Sequence, residues 1–227
     1  MMEEQYRLHA EMPEYKYRIK SAHNVIEQGF ERCDNPYIAC SFGKDSSAML
    51  HMILQHRSDL QVLFVAFAES EILNNYKEVA QWWIDNYNIN LSVITLGRGI
   101  DTEETKDVEV MSNFGDHDGY FIGLRAEESA GRRVTLKHHG RLYLNKSVRK
   151  VRISPVAFLT QDDIGAYNIT NGIKTLESYQ EYGYSERTAS GLLFEDRWGI
   201  RESLLQRMRQ HKPERYNQLK QLCPEIT

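Results

Sequence analysis

Apolar and aromatic residues recur at helical spacing through the first thirty positions (Tyr15, Ile19, Ala22, Val25, Ile26, Phe30), and Asp34-Asn35-Pro36 stops the run. The spacing predicts a leading helix. Tyr37-Ile38-Ala39-Cys40 is then a short apolar strand ending in a small polar loop, after which Ala48, Met49, Leu50, Met52, Ile53 and Leu54 resume helical periodicity. The same strand-then-helix unit recurs at Val62 to Phe67 and Asn74 to Tyr87, the latter rich in Val79, Trp82, Trp83 and Ile84. Leu91 to Leu96 alternates and is β-branched, so it reads as a third strand, and Tyr120 to Leu124 as a fourth. Strands alternating with helices predict an α/β fold: a Rossmann-like parallel sheet with helices on both faces, binding its ligand beyond the carboxyl ends of the strands.

Beyond residue 125 the pattern loosens. It predicts a helix near Glu127 to Lys137, a hairpin from Arg141 to Arg152, and a helix starting near Thr160 behind the capping box Thr160-Gln161-Asp162-Asp163. Tyrosines 179, 182 and 184 fall among glycines and charges between Gly172 and Gly191. The expected organisation is one nucleotide-binding α/β domain over residues 1–170, leading helix included. A less regular C-terminal tail, 171–227, packs on or near the site without forming a domain of its own. Tyr182, Arg187, Arg197 and Arg201 are candidates for a lid.

At 227 residues, 41% hydrophobic and 26% charged, the chain suits a single globular core. Its apolar runs are too short to span a bilayer, and its acidic, polar start resembles no presequence. The expected location is the cytoplasm, with no membrane partner. Cys33, Cys40 and Cys223 are an odd set without a CxxC pair, which argues against a disulfide framework, a zinc knuckle or an iron-sulfur cluster. Charge is unevenly placed: acidic residues gather from Asp101 to Asp118, a surface excursion. From Arg132 to Arg152 there are eight basic residues and no acidic ones. That stretch is expected to face an anion, with a nucleic acid or an acidic protein surface as the candidate partner and a solvated basic hairpin as the alternative.

The chemistry concentrates where the first strand meets its helix. Ser41-Phe42-Gly43-Lys44-Asp45-Ser46-Ser47 offers backbone N–H groups, hydroxyls and a lysine at the positive end of a helix, which is an anion cradle. Gly43 permits close backbone approach, and Lys44 brings charge to phosphoryl oxygens. Asp45 beside a phosphate either caps the helix or holds a magnesium ion. The Walker pattern GxxxxGK[ST] does not fit, because no glycine precedes Gly43 at the required spacing.

The loop resembles that of the adenine nucleotide alpha hydrolase (PP-loop ATP pyrophosphatase) superfamily, Ser-Gly-Gly-Lys-Asp-Ser, with Phe42 in place of the second residue. That substitution is tolerable if Phe42 keeps φ below zero. Within the superfamily the chain is similar to the phosphoadenosine phosphosulfate (PAPS) reductase-like proteins. Phe121-Ile122-Gly123-Leu124-Arg125-Ala126-Glu127-Glu128-Ser129 with Arg132 looks like their second signature. Ile153-Ser154-Pro155-Val156, followed by Leu159 to Ile164, looks like their Pro-to-Asp segment.

The resemblance implies that Ser41, Phe42, Gly43, Lys44, Asp45 and Ser46 hold the phosphate or sulfate end of an adenine nucleotide. Backbone near Ala66 and Phe67 meets the adenine, Gly123 lets the nucleotide approach, and Arg125 and Arg132 bind phosphate, with Lys44, Asp45 and Arg125 as the catalytic set. Glu127 and Glu128 are expected as helix-start dipole partners. The resemblance weakens in two places. The family's second strand often ends Asp-Thr-Gly, whereas this chain has Phe67-Ala68-Glu69-Ser70-Glu71. Its C-terminal Glu-Cys-Gly segment is replaced by Leu222-Cys223-Pro224.

The expected function is therefore ATP cleavage to AMP and pyrophosphate, with magnesium and adenylation of an acceptor in sulfur or nucleic-acid modification. A PAPS reductase using Cys223 and a non-catalytic nucleotide-binding subunit are the alternatives. The oligomeric expectation extends to a homodimer.

Overall fold

The computed structural model describes residues 2–67, 70–96, 114–185 and 200–224. Among them six strands form one sheet in the order β3-β2-β1-β4-β6-β5. These are β1 (Pro36–Ala39), β2 (Gln61–Phe67), β3 (Asn90–Leu96), β4 (Gly119–Ile122), β5 (Leu142–Asn145) and β6 (Lys150–Ile153). Neighbouring pairs are parallel except β5 with β6, the predicted hairpin, which sits antiparallel at one edge. Strand order reverses between β1 and its two neighbours β2 and β4. The crevice beyond the carboxyl end of β1 is therefore the switch point at which such sheets bind ligands.

Alternation along the strands sends Ile38, Val62, Phe64, Phe121 and Ile153 into one large core. Tyr37, Leu63 and Tyr120 join a smaller cluster with Phe114 on the opposite face. The large core is closed by α2 (Pro13–Arg32), α3 (Lys44–Leu54), α5 (Tyr76–Tyr87) and α7 (Gln161–Thr170), which contribute Val25 and Ile26, Met49 and Met52, Val79 and Trp83, and Ile164. On the opposite face α6 (Ala130–His139) flanks the β5–β6 edge, where Leu136, Tyr143 and Arg152 line one cavity. The predicted helix near Glu127 to Lys137 is thus a 3-10 turn at Ala126–Glu128 followed by α6, which Ser129 caps by accepting from the Arg132 N–H.

The leading helix is two helices. Helix α1 (Met2–His9) ends before Pro13, which occupies the first turn of α2, where its missing N–H goes unneeded. The break lets α1 fold back onto α7. There Gly165 leaves room for Tyr6: a Cβ on it would lie 2.5 Å from the Tyr6 ring, which would have to shift. The same junction holds the buried carboxylate of Asp163, which accepts from Arg18 Nε at 2.6 Å and Arg18 Nη2 at 2.8 Å and lies 2.8 Å from His9 Nε2. The capping box with Thr160 is present as predicted. Its role as the socket for a cross-helix ion pair was not legible in the sequence, because Arg18 lies 145 residues away.

Two short helices, α4 (Ser70–Leu73) and α8 (Glu177–Tyr182), flank the carboxyl end of β2 and the loop after β1, respectively. The tail is more regular than its composition implies: α9 (Ile200–His211) and α10 (Pro213–Leu222) pair through Leu205, Met208, Leu219 and Cys223 and pack on Ile72 and Leu73 of α4. Lys212 reaches Glu181 at 2.9 Å, and Arg215 pairs with Glu177. Ala68, Glu69, Arg187, Arg197 and the acidic stretch 101–113 lie outside the described residues, as do the side chains of Glu71 and Arg201. No helix among the described residues is long and apolar enough to cross a membrane.

Burial by itself would raise the pKa of Asp163. The hydrogen bonds from Arg18, His9 and Thr160 outweigh it and hold the carboxyl below its ordinary value. Its stabilisation is complete above about pH 4 and is lost as pH falls through the lower folded value. Replacing Asp163 by Ala is expected to destabilise the fold by about 3 kcal/mol at neutral pH, the low end for a broken buried pair, because Arg18 stays partly solvated. Thermal melts of the wild type and Asp163→Asn at pH 7 and pH 3 check the sign: the gap between them narrows towards acid.

Candidate nucleotide site

Strand β1 delivers the chain to Cys40, whose N–H donates to Leu63 O at 2.9 Å. The backbone then turns through Phe42 at φ +54° and enters α3 with Gly43 as the N-cap. The condition under which Phe42 would be free of strain, φ below zero, is not met. The turn needs a left-handed residue here, which explains why the superfamily loop has glycine at this place. Phenylalanine in that conformation costs about 1–2 kcal/mol. The strain is held by burial: the ring is fully enclosed and edge-on to Phe64 at 5.2 Å.

The helix starts without a side-chain cap, so Asp45 does not play that part. Ser41, exposed, and Ser46, buried, place their hydroxyls 3.1 Å apart, and Ser46 Oγ also donates to Gly43 O at 3.1 Å. Ser47 Oγ is buried with no hydrogen-bond partner among the described residues. The loop therefore gathers hydroxyls at the end of the helix that carries positive potential.

Three charges meet beside it. Asp45 Oδ1 accepts from Arg125 Nε, and Asp45 Oδ2 lies 3.3 Å from Lys44 Nζ. Arg125 is 3% exposed and is held from the other side by Glu127 at 2.5 Å. Burial lowers its pKa, and the Asp45 and Glu127 carboxylates more than compensate, so it stays charged. Glu127 also accepts from Gln161 N–H at 2.8 Å, and Glu128 accepts from Arg125 N–H at 2.7 Å. These glutamates do more than complement a dipole: they lock the strand-end arginine in place. Lys44 is nearly buried, its carbonyl accepts from Asn168 Nδ2 at 3.0 Å, and its ammonium sits 5.3 Å from the centre of the Tyr179 ring.

Gly123 serves the loop itself. A Cβ there would come within 2.7 Å of Ser46 Cα, so its close approach is to the first turn of α3, where a nucleotide was expected. Arg125, expected to bind phosphate, is held in an ion pair with Asp45 and Glu127. Arg132 lies apart from the loop, paired with Glu128 and lining the cavity under α6. Ala66 and Phe67 are the last residues of β2, half-buried, and that strand runs on past the last β1–β2 pair, Ala39 with Leu63. The basic run divides. Lys150 is buried and donates to the carbonyls of Phe114, Gly115 and His117. Arg141 reaches Ser21 O at 3.3 Å, and Arg133, Lys137, Lys146 and Arg149 are exposed.

Magnesium does not fit Asp45 as a direct ligand, since both carboxylate oxygens already face cations. Among the described residues no cluster of three metal-ligating side chains exists. The cysteines are buried. Burial pushes the Cys40 thiol beside the loop up to about 11. Cys223 is 0% exposed within the α9–α10 core. Tyr179, which covers Lys44, was not singled out in the sequence, because only the fold brings α8 over the loop.

The sheet topology, with the loop at its switch point, is that of an α/β fold of the adenine nucleotide alpha hydrolase type. Residues 35–185 match the phosphoadenosine phosphosulfate reductase domain, and the chain belongs to that family. Among solved structures it is similar to the phosphoadenylyl-sulfate (PAPS) reductase of Candida auris in its phosphate complex, with a TM-score of 0.53 at 14% identity. The match covers 74% of this chain and 90% of that one. It is also similar to the FMN adenylyltransferase of Candida glabrata in complex with ATP, with a TM-score of 0.54 at 13% identity over 73% of this chain and 60% of that one. Likeness at these identities is one of fold. No curated protein matches the chain in sequence.

The strained loop generates a test. Phe42→Ala leaves a cavity and keeps the left-handed strain, whereas Phe42→Gly leaves the same cavity and relieves it. Both are expected to be destabilised by about 3 kcal/mol or more, with the glycine variant the more stable of the two by about 1 kcal/mol. Urea denaturation of the pair measures the difference.

Proposed function

We propose that the chain is an adenylating enzyme: it binds ATP at residues 41–46, breaks the bond between the α-phosphorus and the bridging oxygen, and transfers the adenylyl group to an acceptor. The observation that carries this reading is the convergence of Lys44, Arg125 and the uncapped start of α3 on one point beyond β1. An acceptor oxygen attacks the α-phosphorus, the α–β bridge breaks, and pyrophosphate departs with the electron pair. Negative charge builds on the departing oxygens, and fixed donors there stabilise the transition state more than the ground state. Lys44 and the loop N–H groups supply those donors, and no protein nucleophile is required.

Asp45 has a positioning role in this scheme. It stands between the two cations as an internal anion, and its bond to Arg125 fixes where phosphate oxygens meet Lys44. The backbone at Ala66 and Phe67 is the proposed adenine contact. The burial of Cys223 supports adenylation over sulfonucleotide reduction, which needs an accessible thiolate.

Incubation with ATP labelled at the α-phosphate tests the chemistry: labelled AMP or an adenylylated product with free pyrophosphate is expected, and labelled ADP would exclude this bond cleavage. Cys223→Ser is expected to retain ATP-dependent activity within about twofold, with thermal stability measured alongside. Loss of activity in a folded variant would favour the reductase reading.

A further inference from the structure

A cavity of about 370 Å³ lies between α6 and the β5–β6 hairpin. That is within the range of roughly 300–1,000 Å³ usual for small-molecule sites. It is on the sheet face opposite α3, because Arg152 and Tyr143 pair in register on the side of Tyr120. None of residues 41–46 lines it, yet Leu124, between Gly123 and Arg125, does. The cavity thus adjoins the strand end that carries the Asp45–Arg125 pair and is distinct from the loop.

Its walls are unusual for a gap in packing. Arg132 and Arg152 both line it, and Arg132 is paired with Glu128. Arg152 Nε is buried and has no hydrogen-bond partner among the described residues. The guanidinium lies 5.9 Å from the centre of the Tyr143 ring, which stacks on His139 at 4.9 Å. A buried guanidinium N–H without an acceptor is a standing desolvation cost that an oxyanion would remove. Two guanidinium forks suit the several oxygens of a phosphate. The hydroxyls of Ser129 and Thr135 add polar contacts, while Leu124 and Leu136 supply an apolar wall for the body of a ligand.

We infer that this cavity is a second anion site, which takes the phosphate group of a small organic molecule. On the adenylation reading, on which this last identification rests, that molecule is the acceptor of the adenylyl group.

The test uses inorganic phosphate as probe and Lys44→Ala as background, so that the loop contributes little. Titration followed by 31P NMR is expected to show saturable binding to the Lys44→Ala chain. Adding Arg152→Ala is expected to weaken it at least tenfold, and Thr135→Glu, which projects a carboxylate into the cavity from an exposed helix, to abolish it. Circular dichroism establishes that each variant is folded, and Thr135→Glu decides the matter if removal of Arg152 unfolds the chain. Phosphate binding that is absent from Lys44→Ala, or unchanged by Thr135→Glu, overturns the proposal. ATP is not in this experiment, so a failure of the adenylation reading leaves its result intact.

Discussion

The ion pair between Asp45 and Arg125 joins the two halves of the sheet at the point where they diverge. Asp45 stands in the first turn of α3, after β1; Arg125 leaves the end of β4. Gly123 lets those two segments touch, and Glu127 carries the connection on to the first turn of α7 through Gln161 N–H. Helix α7 in turn returns a hydrogen bond from Asn168 to the Lys44 carbonyl. The loop is thus held on three sides by groups that are themselves fixed, the preorganisation that electrostatic catalysis requires. A buried ion pair is a weak source of net stability. Its value in this fold is geometric, since it sets where Lys44 can present its charge.

The strands, their parallel order and the loop at the switch point were legible because each rests on local pattern: β-branched runs, a polar loop, a resumed helical period. The capping box at Thr160 was legible for the same reason. What escaped the sequence depends on residues far apart in the chain. That Arg125 pairs with Asp45, 80 residues earlier in the chain, is seen only in the fold. Asp163 reads as a cap until α1 and α2 bring His9 and Arg18 to it, and Tyr179 reads as a tail residue until α8 crosses the loop. Phe42 is the opposite case, where local rules gave the wrong dihedral. Burial against Phe64 outweighs the steric preference of a non-glycine residue for negative φ.

Charge is handled differently on the two faces of the sheet. On the α3 side Lys44 and Arg125 are both met by the Asp45 carboxylate, with which the proposed phosphate would compete for them. On the α6 side Arg152 keeps a buried N–H without an acceptor, and the eight basic residues of the hairpin region split among a buried lysine, cavity-lining arginines and exposed positions. Lys150 thus has a structural part, donating to backbone carbonyls, that the run of charge alone did not show. Residues 35–185 belong to the PAPS reductase domain family, and Cys223 is buried between the two C-terminal helices.

Residues 41–46, Lys44 among them, are the proposed phosphate site for ATP. Calorimetric titration of ATP with magnesium, and separately of phosphoadenosine phosphosulfate, against the wild type and Lys44→Ala tests it most directly. ATP is expected to bind, and Lys44→Ala to weaken it at least tenfold, about 1.4 kcal/mol. Binding of the sulfonucleotide alone, or ATP binding indifferent to Lys44, would contradict that assignment.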